Sequence, residues 1–388
     1  MVVTYYPAVR YGGPIRSVHG LAAAQAQRGH DVHVYTTNVD GDSELDVPTG
    51  RAVELDGVKV HYFPVWKPLR RLYGSPALAR RLRATIGEFD VVHIHAVFLL
   101  PLRDAARAAA RAGVPYVVTP RGMLIRVLIQ RKSRWVKTAW INLFERKTLA
   151  NAAAVHVTAE VEGTEFKALG LPARRIECIP NGVEWPARPA PLEEGPFALL
   201  PERYALFLSR INWKKGLDRL ITAWQWVPDI PLVIAGNDEE NYRPQLEKLV
   251  QSLGLGSRVL FVGPASDTDK WSLYAQARLF VLPSYSENFG NVVAEAMAMG
   301  CPSLVTAEVG IAPLLSATGA GKVVSGDPEI LAAQIRELLA DPTALQEMGR
   351  RGAEVARTEL SWSGIAARTE QLYRDLLEPH ATLVSAPV

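Results

Sequence analysis

Short apolar runs rich in Val, Ile and Leu alternate with longer stretches whose apolar positions recur every three or four residues, and this exchange repeats along most of the chain. It predicts repeated βα units around parallel sheets, an α/β protein. Strands are expected at 2–5, 32–36, 58–62, 91–95, 116–119, 154–158 and 175–179, then at 204–209, 231–235, 259–262, 279–282, 302–305 and 321–324. Between the two sets lies "PNGVEWPARPAPLEEGPFALLPERY", too rich in proline to continue a sheet, which reads as a linker. The chain is therefore expected to form an N-terminal domain over 1–185 and a second over 186–364. The last helical stretch, "WSGIAARTEQLYRDLLEP", should return to the first domain at about 365–380, and the final "HATLVSAPV" should fray.

Length supports the division, because 388 residues with 48% hydrophobic content exceed one ordinary core. The net charge of +3, from 43 basic and 40 acidic side chains, argues against whole-surface attraction to nucleic acid. Two distant cysteines, Cys178 and Cys301, match no metal-ligand spacing and fit a reducing, cytoplasmic setting. No secretory leader and no apolar stretch of bilayer-spanning length is read, so membrane contact would be peripheral. The first strand starts beside Met1, and the natural start is expected a few residues earlier.

Ligands of open parallel sheets lie at the carboxyl ends of the strands, which directs attention to the loops that follow them. After the first strand, "RYGGPIRS" carries Gly12 and Gly13, which suit either a close approach to an anion or a tight strand-to-helix turn. After the first strand of the second domain, "SRINWKKG" brings Arg210 and Lys215 together; they would hold a diphosphate or form a solvated basic loop. Further on, "PSYSENFGNVVAEAMAMG" predicts a helix from Asn291 to Met299 capped by Gly300. Glu287 then lies in the loop before it and Glu295 one turn inside. Amides around Phe289, Gly290 and Asn291, beside Asn288, would point from the helix start toward an anion or sugar oxygens. Two carboxylates flanking an anion-friendly site favour a ligand with hydroxyls at both ends and a diphosphate between them, the shape of a nucleotide sugar. The competing reading makes Glu295 a surface carboxylate and leaves Glu287 to the helix dipole.

Taken together, "YYPAVRYGGPIRSVHGLAAAQAQRGHDVHVYTT", "DVVHIHA", "VVTPRGML", "IPNGVE", "SRINWKKG" and "PSYSENFGNVVAEAMAMGCPSLVT" resemble the retaining glycosyltransferases of family 4, which have the GT-B fold. That resemblance implies two facing Rossmann-like domains with a cleft between them and transfer of a hexose-type sugar from a UDP- or GDP-sugar. The expected acceptor is a glycan or a lipid-linked diphosphate saccharide, in bacterial polysaccharide or glycolipid assembly. It also implies catalytic roles for Arg210 and Lys215 at the diphosphate leaving group and for Glu287 at the transferred sugar. Gly12, Gly13, Asn288, Phe289, Gly290, Asn291 and Glu295 would complete the donor site, with Glu295 on the ribose. No metal or other cofactor is expected. Many relatives carry a His where "VVTPRGML" has Arg121, a fixed cation that cannot act as a base. Arg121 is accordingly a candidate for phosphate or an anionic acceptor, or for structural pairing, and His95 for the acceptor site, while His93 reads as a packed core residue.

The segment 121–147 holds eight basic residues against one acid, Glu145, with Trp135, Trp140 and Phe144 interleaved, and 66–83 is a second basic stretch. Residues 126–147 are thus expected either to touch an anionic membrane surface or to form an amphipathic helix packed on its own domain. Two other functions share the pattern: a nucleotide-sugar 2-epimerase, which would show no acceptor dependence, and a non-catalytic nucleotide-sugar or glycan-binding protein. An oxidoreductase is disfavoured by the absence of Gly-x-Gly-x-x-Gly after the first strand.

Overall fold

The computed structural model describes residues 1–7, 13–131, 134–186, 197–228, 230–238 and 240–378. Gly12, most of the proline-rich linker and the last ten residues fall outside that set. Two compact units result, one formed by Met1–Pro180 with the chain from Ser363 on, the other by Asn181–Trp362. The boundary precedes position 185 because residues just before it belong to the second unit. Val183 bridges Ser361 and donates its amide to the Leu360 carbonyl, and the Trp185 indole donates to the Ala298 carbonyl at 3.1 Å.

Among the described residues of the first unit ten strands run β1 (Val2–Tyr5), β2 (His33–Thr37), β3 (Val39–Asp40), β4 (Ser43–Glu44), β5 (Val53–Leu55), β6 (Val58–Phe63), β7 (Val92–His95), β8 (Tyr116–Thr119), β9 (Ala154–Val157) and β10 (Ile176–Cys178). Eight form one sheet in the order β10-β9-β8-β7-β1-β2-β6-β5, parallel throughout except for β5 against β6. The β5–β6 hairpin and the small β3–β4 pair are absent from the sequence expectation, although Asp56-Gly57 carries the signal. Both residues adopt left-handed backbone, at φ 51° and 77°, as a two-residue hairpin turn requires.

The second unit holds β11 (Ala205–Leu208), β12 (Leu232–Ala235), β13 (Val259–Gly263), β14 (Leu279–Leu282), β15 (Ser303–Thr306) and β16 (Lys322–Val324), all parallel, in the order β13-β12-β11-β14-β15-β16. Its central strands are apolar at nearly every position, as a sheet covered on both faces demands. Each sheet reverses its winding beside its first strand, between β1 and β7 and between β11 and β14. Those are the switch points at which doubly wound sheets bind ligands.

The last helix, Trp362–Leu377, packs in the first unit as expected. Arg28 pairs with Glu370 at 2.6 Å, Arg175 with Asp375 at 2.9 Å, and Tyr373 shares a 2.6 Å hydrogen bond with His93 Nδ1. The described helices include none long and apolar enough to cross a membrane.

Candidate active site

In the second unit the loops after β11 and β14 flank the switch point and are locked to each other. Asn212 caps the short turn Trp213–Lys215, its side chain accepting the Lys214 amide at 3.1 Å. Gly216 ends the turn at φ 67°, and a Cβ there would collide with the Pro283 carbonyl oxygen, so only glycine lets the two loops approach this closely. The Tyr285 amide donates to the Lys214 carbonyl at 2.7 Å. Arg219 donates through Nε to the Pro283 carbonyl at 2.6 Å, its guanidinium lying 3.9 Å over the Tyr285 ring, and the Tyr285 hydroxyl reaches Asp218 at 2.9 Å.

This bracing sets the side chains. Lys215, almost fully buried, forms an ion pair with Glu287, so the ammonium and carboxylate assigned from sequence to different parts of one ligand meet each other. Lys214 lies half-buried beside them. Burial first, then the nearby Arg210 guanidinium, lowers its pKa from the usual lysine range. Arg210 itself is exposed. The loop thus gathers three cations near Glu287, with Glu240 also close enough to act on Lys214.

Past Glu287 the chain lies against the segment after β15: the Glu287 amide donates to Glu308 O at 3.1 Å, and Glu287 O and Phe289 O accept from Gly310 and Ile311. Phe289 is buried, and Gly290 turns the chain at φ 99° into the helix Asn291–Ala298, where a Cβ would press on Val309 Cγ1 at 2.9 Å. Val293 and Ala294 donate to the Gly290 carbonyl at 2.8 and 3.3 Å, and the two amides ahead of them, of Asn291 and Val292, precede the first intrahelical bond. Asn181 Nδ2 holds Asn291 Oδ1 at 2.9 Å. Glu295 lies within the helix as the sequence predicts, yet it is not a surface carboxylate. Its oxygens accept from Lys270 Nζ at 2.7 Å and from the Tyr274 hydroxyl at 3.2 Å, and Lys270 is only 9% exposed. Lys270 and Tyr274 escape the sequence reading, since both belong to an ordinary amphipathic helix, Asp269–Gln276.

The first unit carries its own polar cluster at the ends of β7 and β8. Arg121, at φ 57°, donates through Nη1 to Ser17 Oγ at 3.0 Å and through Nη2 to His95 Nδ1 at 3.2 Å. Burial pulls its pKa down to about 10, which leaves it a cation at neutral pH. His95 is 1% exposed, and burial, then His93, then Arg121, depress its pKa well below the usual range. A guanidinium only donates, so Nδ1 accepts and the proton of the neutral ring sits on Nε2, which has no hydrogen-bond partner among the described residues. The turn bearing Arg121 is held by buried Glu162, which accepts from the Gly122 amide at 2.6 Å and the Thr158 amide at 2.8 Å. His93 is the core residue expected, bonded to Tyr373 and, at 2.7 Å, to Thr119 Oγ1. Gly13 opens the helix Gly13–Gln27.

Two doubly wound units with charged loops at their switch points define the architecture of the GT-B glycosyltransferases. Residues 12–182 match the family model "Glycosyl transferase 4-like domain" and residues 196–355 match "Glycosyl transferases group 1". The chain is 30% identical to a glycogen synthase of Mycobacterium tuberculosis over 96% of this chain and 93% of that one. It is 27% identical to a GDP-mannose-dependent alpha-(1-6)-phosphatidylinositol monomannoside mannosyltransferase of Mycolicibacterium smegmatis, over 96% and 97%. Among solved structures, the sucrose-phosphate synthase of Thermosynechococcus elongatus superposes with a TM-score of 0.75 over 94% of both chains at 25% identity. The Anabaena HepE protein in complex with UDP-glucose superposes at 0.72 over 97% of this chain and all of that one, at 20% identity. The chain belongs to the glycosyltransferases of family 4.

Proposed function

We propose that the protein transfers a hexose-type sugar from a UDP- or GDP-sugar to a glycan or lipid-linked saccharide, with retention of anomeric configuration and without a metal ion. The observation that carries this reading is the loop pair at the second switch point, where Arg210, Lys214 and Lys215 gather beside Glu287 and the open start of the helix Asn291–Ala298. In the transfer, the bond between the anomeric carbon and the diphosphate oxygen breaks with its electron pair going to the oxygen, and the acceptor oxygen bonds to the same carbon. The acceptor proton passes to the departing diphosphate. Negative charge therefore grows on the leaving group, where fixed cations lower the barrier more than they tighten ground-state binding. Three cations supply that charge, which supports metal-independent transfer.

Glu287 would take hydroxyls of the sugar and Glu295, poised by Lys270 and Tyr274, the ribose. Retention rests on family membership, as does the choice of a nucleotide sugar, which the named ligands of HepE and the mannosyltransferase also favour. In the first unit Arg121 and the Nε2–H of His95 offer donors to a phosphate or an anionic acceptor. We place the protein in the cytoplasm, peripheral to the membrane through residues 126–147. The test is release of nucleoside diphosphate across a panel of UDP- and GDP-sugars with and without glycan acceptors, the anomeric configuration being read by NMR. Acceptor-dependent release from one donor is expected. Acceptor-independent conversion would indicate the epimerase, and binding without turnover a non-catalytic protein.

A further inference from the structure

The one acid of the basic segment faces inward. Glu145 is 5% exposed and its Oε1 accepts from the Phe98 amide and the Trp140 indole, both at 2.8 Å. That inward anchor leaves the outer face of the continuous helical run, Arg134–Trp140 through the π-turn Ile141–Glu145 to Arg146–Asn151, without negative charge. Positions 135, 139, 143 and 147 follow at four-residue spacing along it. Trp135 is 82% exposed and Leu143 68%, with Lys147 exposed beyond them.

Beside Leu143 this face opens into a groove of about 370 Å³ against the helix Leu100–Ala112, lined by Arg103, Arg107 and Arg111 on that helix and by Leu143, Phe144 and Lys147 on the other. No carboxylate lines it among the described residues, although Asp104 on the same helix lies near enough for its charge to act on Arg103 and Arg107. The three arginines recur at four-residue spacing, where like charges repel along a helix. Among the described residues none of the four cations forms an ion pair. Arg103 lies 4.2 Å over the Phe144 ring, and its Nε is buried without a hydrogen-bond partner. A strip of four cations without an ion pair, partly offset by Asp104, that continues into exposed Trp and Leu suits a ligand with a phosphate head and an apolar body.

We propose that this groove binds the phosphate head group of an anionic lipid at the membrane surface, while Leu143 and Trp135 enter the acyl boundary. The inference extends the membrane-peripheral part of the proposed function and leaves the donor chemistry untouched.

The test is sedimentation of the full chain with phosphatidylcholine vesicles and with vesicles of phosphatidylcholine mixed with phosphatidylglycerol. Binding is expected to the mixed vesicles only. The variant R103Q/R107Q/R111Q should lose about 100-fold in vesicle partition, from the usual worth of a basic residue near an anionic surface. R103K/R107K/R111K, which keeps the charge, should retain most of it. Two outcomes overturn the assignment to the groove: wild-type binding by the Gln variant, or an equal loss in K248Q/R336Q/R357Q, which removes three exposed charges from the second unit. Calorimetric binding of inorganic pyrophosphate, abolished in the Gln variant and unaccompanied by vesicle binding, would assign the groove to a soluble phosphate instead. Nucleoside diphosphate release with a soluble acceptor is measured on the same samples. Its failure would count against the transferase reading, and vesicle binding alone judges the groove.

Discussion

Replacement of Lys215 by Met tests whether the Lys215–Glu287 pair serves the reaction or only the fold. The two side chains are 10% and 18% exposed, so the substitution strands a nearly buried carboxylate. Removing one partner of a buried pair costs about 3–5 kcal/mol. For a folding unit of this size, that cost corresponds to a fall of roughly 6–20 °C in the melting temperature. The ammonium is also one of the cations proposed to meet the leaving diphosphate, and loss of one such donor typically lowers kcat by about 10²–10³. The double variant K215M/E287Q separates the effects, because a neutral Gln no longer needs the ammonium. Scanning calorimetry should show most of the lost stability restored in the double variant, while steady-state assay of nucleoside diphosphate release should show kcat as low as in K215M or lower. Recovery of kcat together with stability, or a K215M enzyme with kcat within threefold of wild type, would refute a role for Lys215 in the chemistry.

Three further outcomes follow. Glu295→Ala leaves Lys270 and Tyr274 without their shared acceptor and removes the proposed ribose contact; donor affinity by isothermal titration should weaken by roughly 10- to 100-fold, the range of hydrogen bonds to charged groups. Gly216→Ala forces a Cβ onto the Pro283 carbonyl at φ 67°, so chemical denaturation should report a loss above about 1 kcal/mol, with activity falling as the two loops separate. The second unit contains no histidine, whereas in the first burial lowers His156 to about 3 and His61 to about 4 and depresses His93 and His95. These rings are protonated near pH 6.5 in the unfolded chain but far lower in the fold, so their stabilisation is complete above about 6.5 and lost as pH falls toward 3. Hydrogen-exchange protection factors, corrected for the intrinsic pH dependence of exchange, should therefore fall in the first unit as pH drops from 7 to 5, and His156→Gln should flatten that dependence. An equal fall in both units would contradict it.

The alternation of periods was enough to locate the parallel strands of both sheets, though not the antiparallel edge strand β5, and the helix that begins at Asn291, because burial on both faces of a parallel sheet leaves little freedom in residue type. It was also enough to put Arg210, Lys215, Glu287 and Glu295 near strand ends. What those side chains touch was not legible. Lys215 meets Glu287 only because β11 and β14 are neighbours across the switch point, and a strand order is not written in any one strand. Lys270 and Glu295 are likewise matched by the packing of two helices, and the one bearing Lys270 is by itself an unremarked amphipathic pattern.

Orientation was the other hidden quantity. Glu145 counted in the sequence as one acid among eight bases, but the fold turns it inward onto Phe98 and Trp140, and that decides the charge of the outer face. Arg121 stood out as a cation in an unusual place, and only the approach of the helices bearing Ser17 and Glu162 defines what surrounds it. The sequence by itself determined the α/β class, the two units and the residue types at their strand ends, since these depend on local period and backbone preference. The pairings, the burial of charge and the direction of each side chain were decided by tertiary structure, because they arise from contacts between segments far apart in the chain.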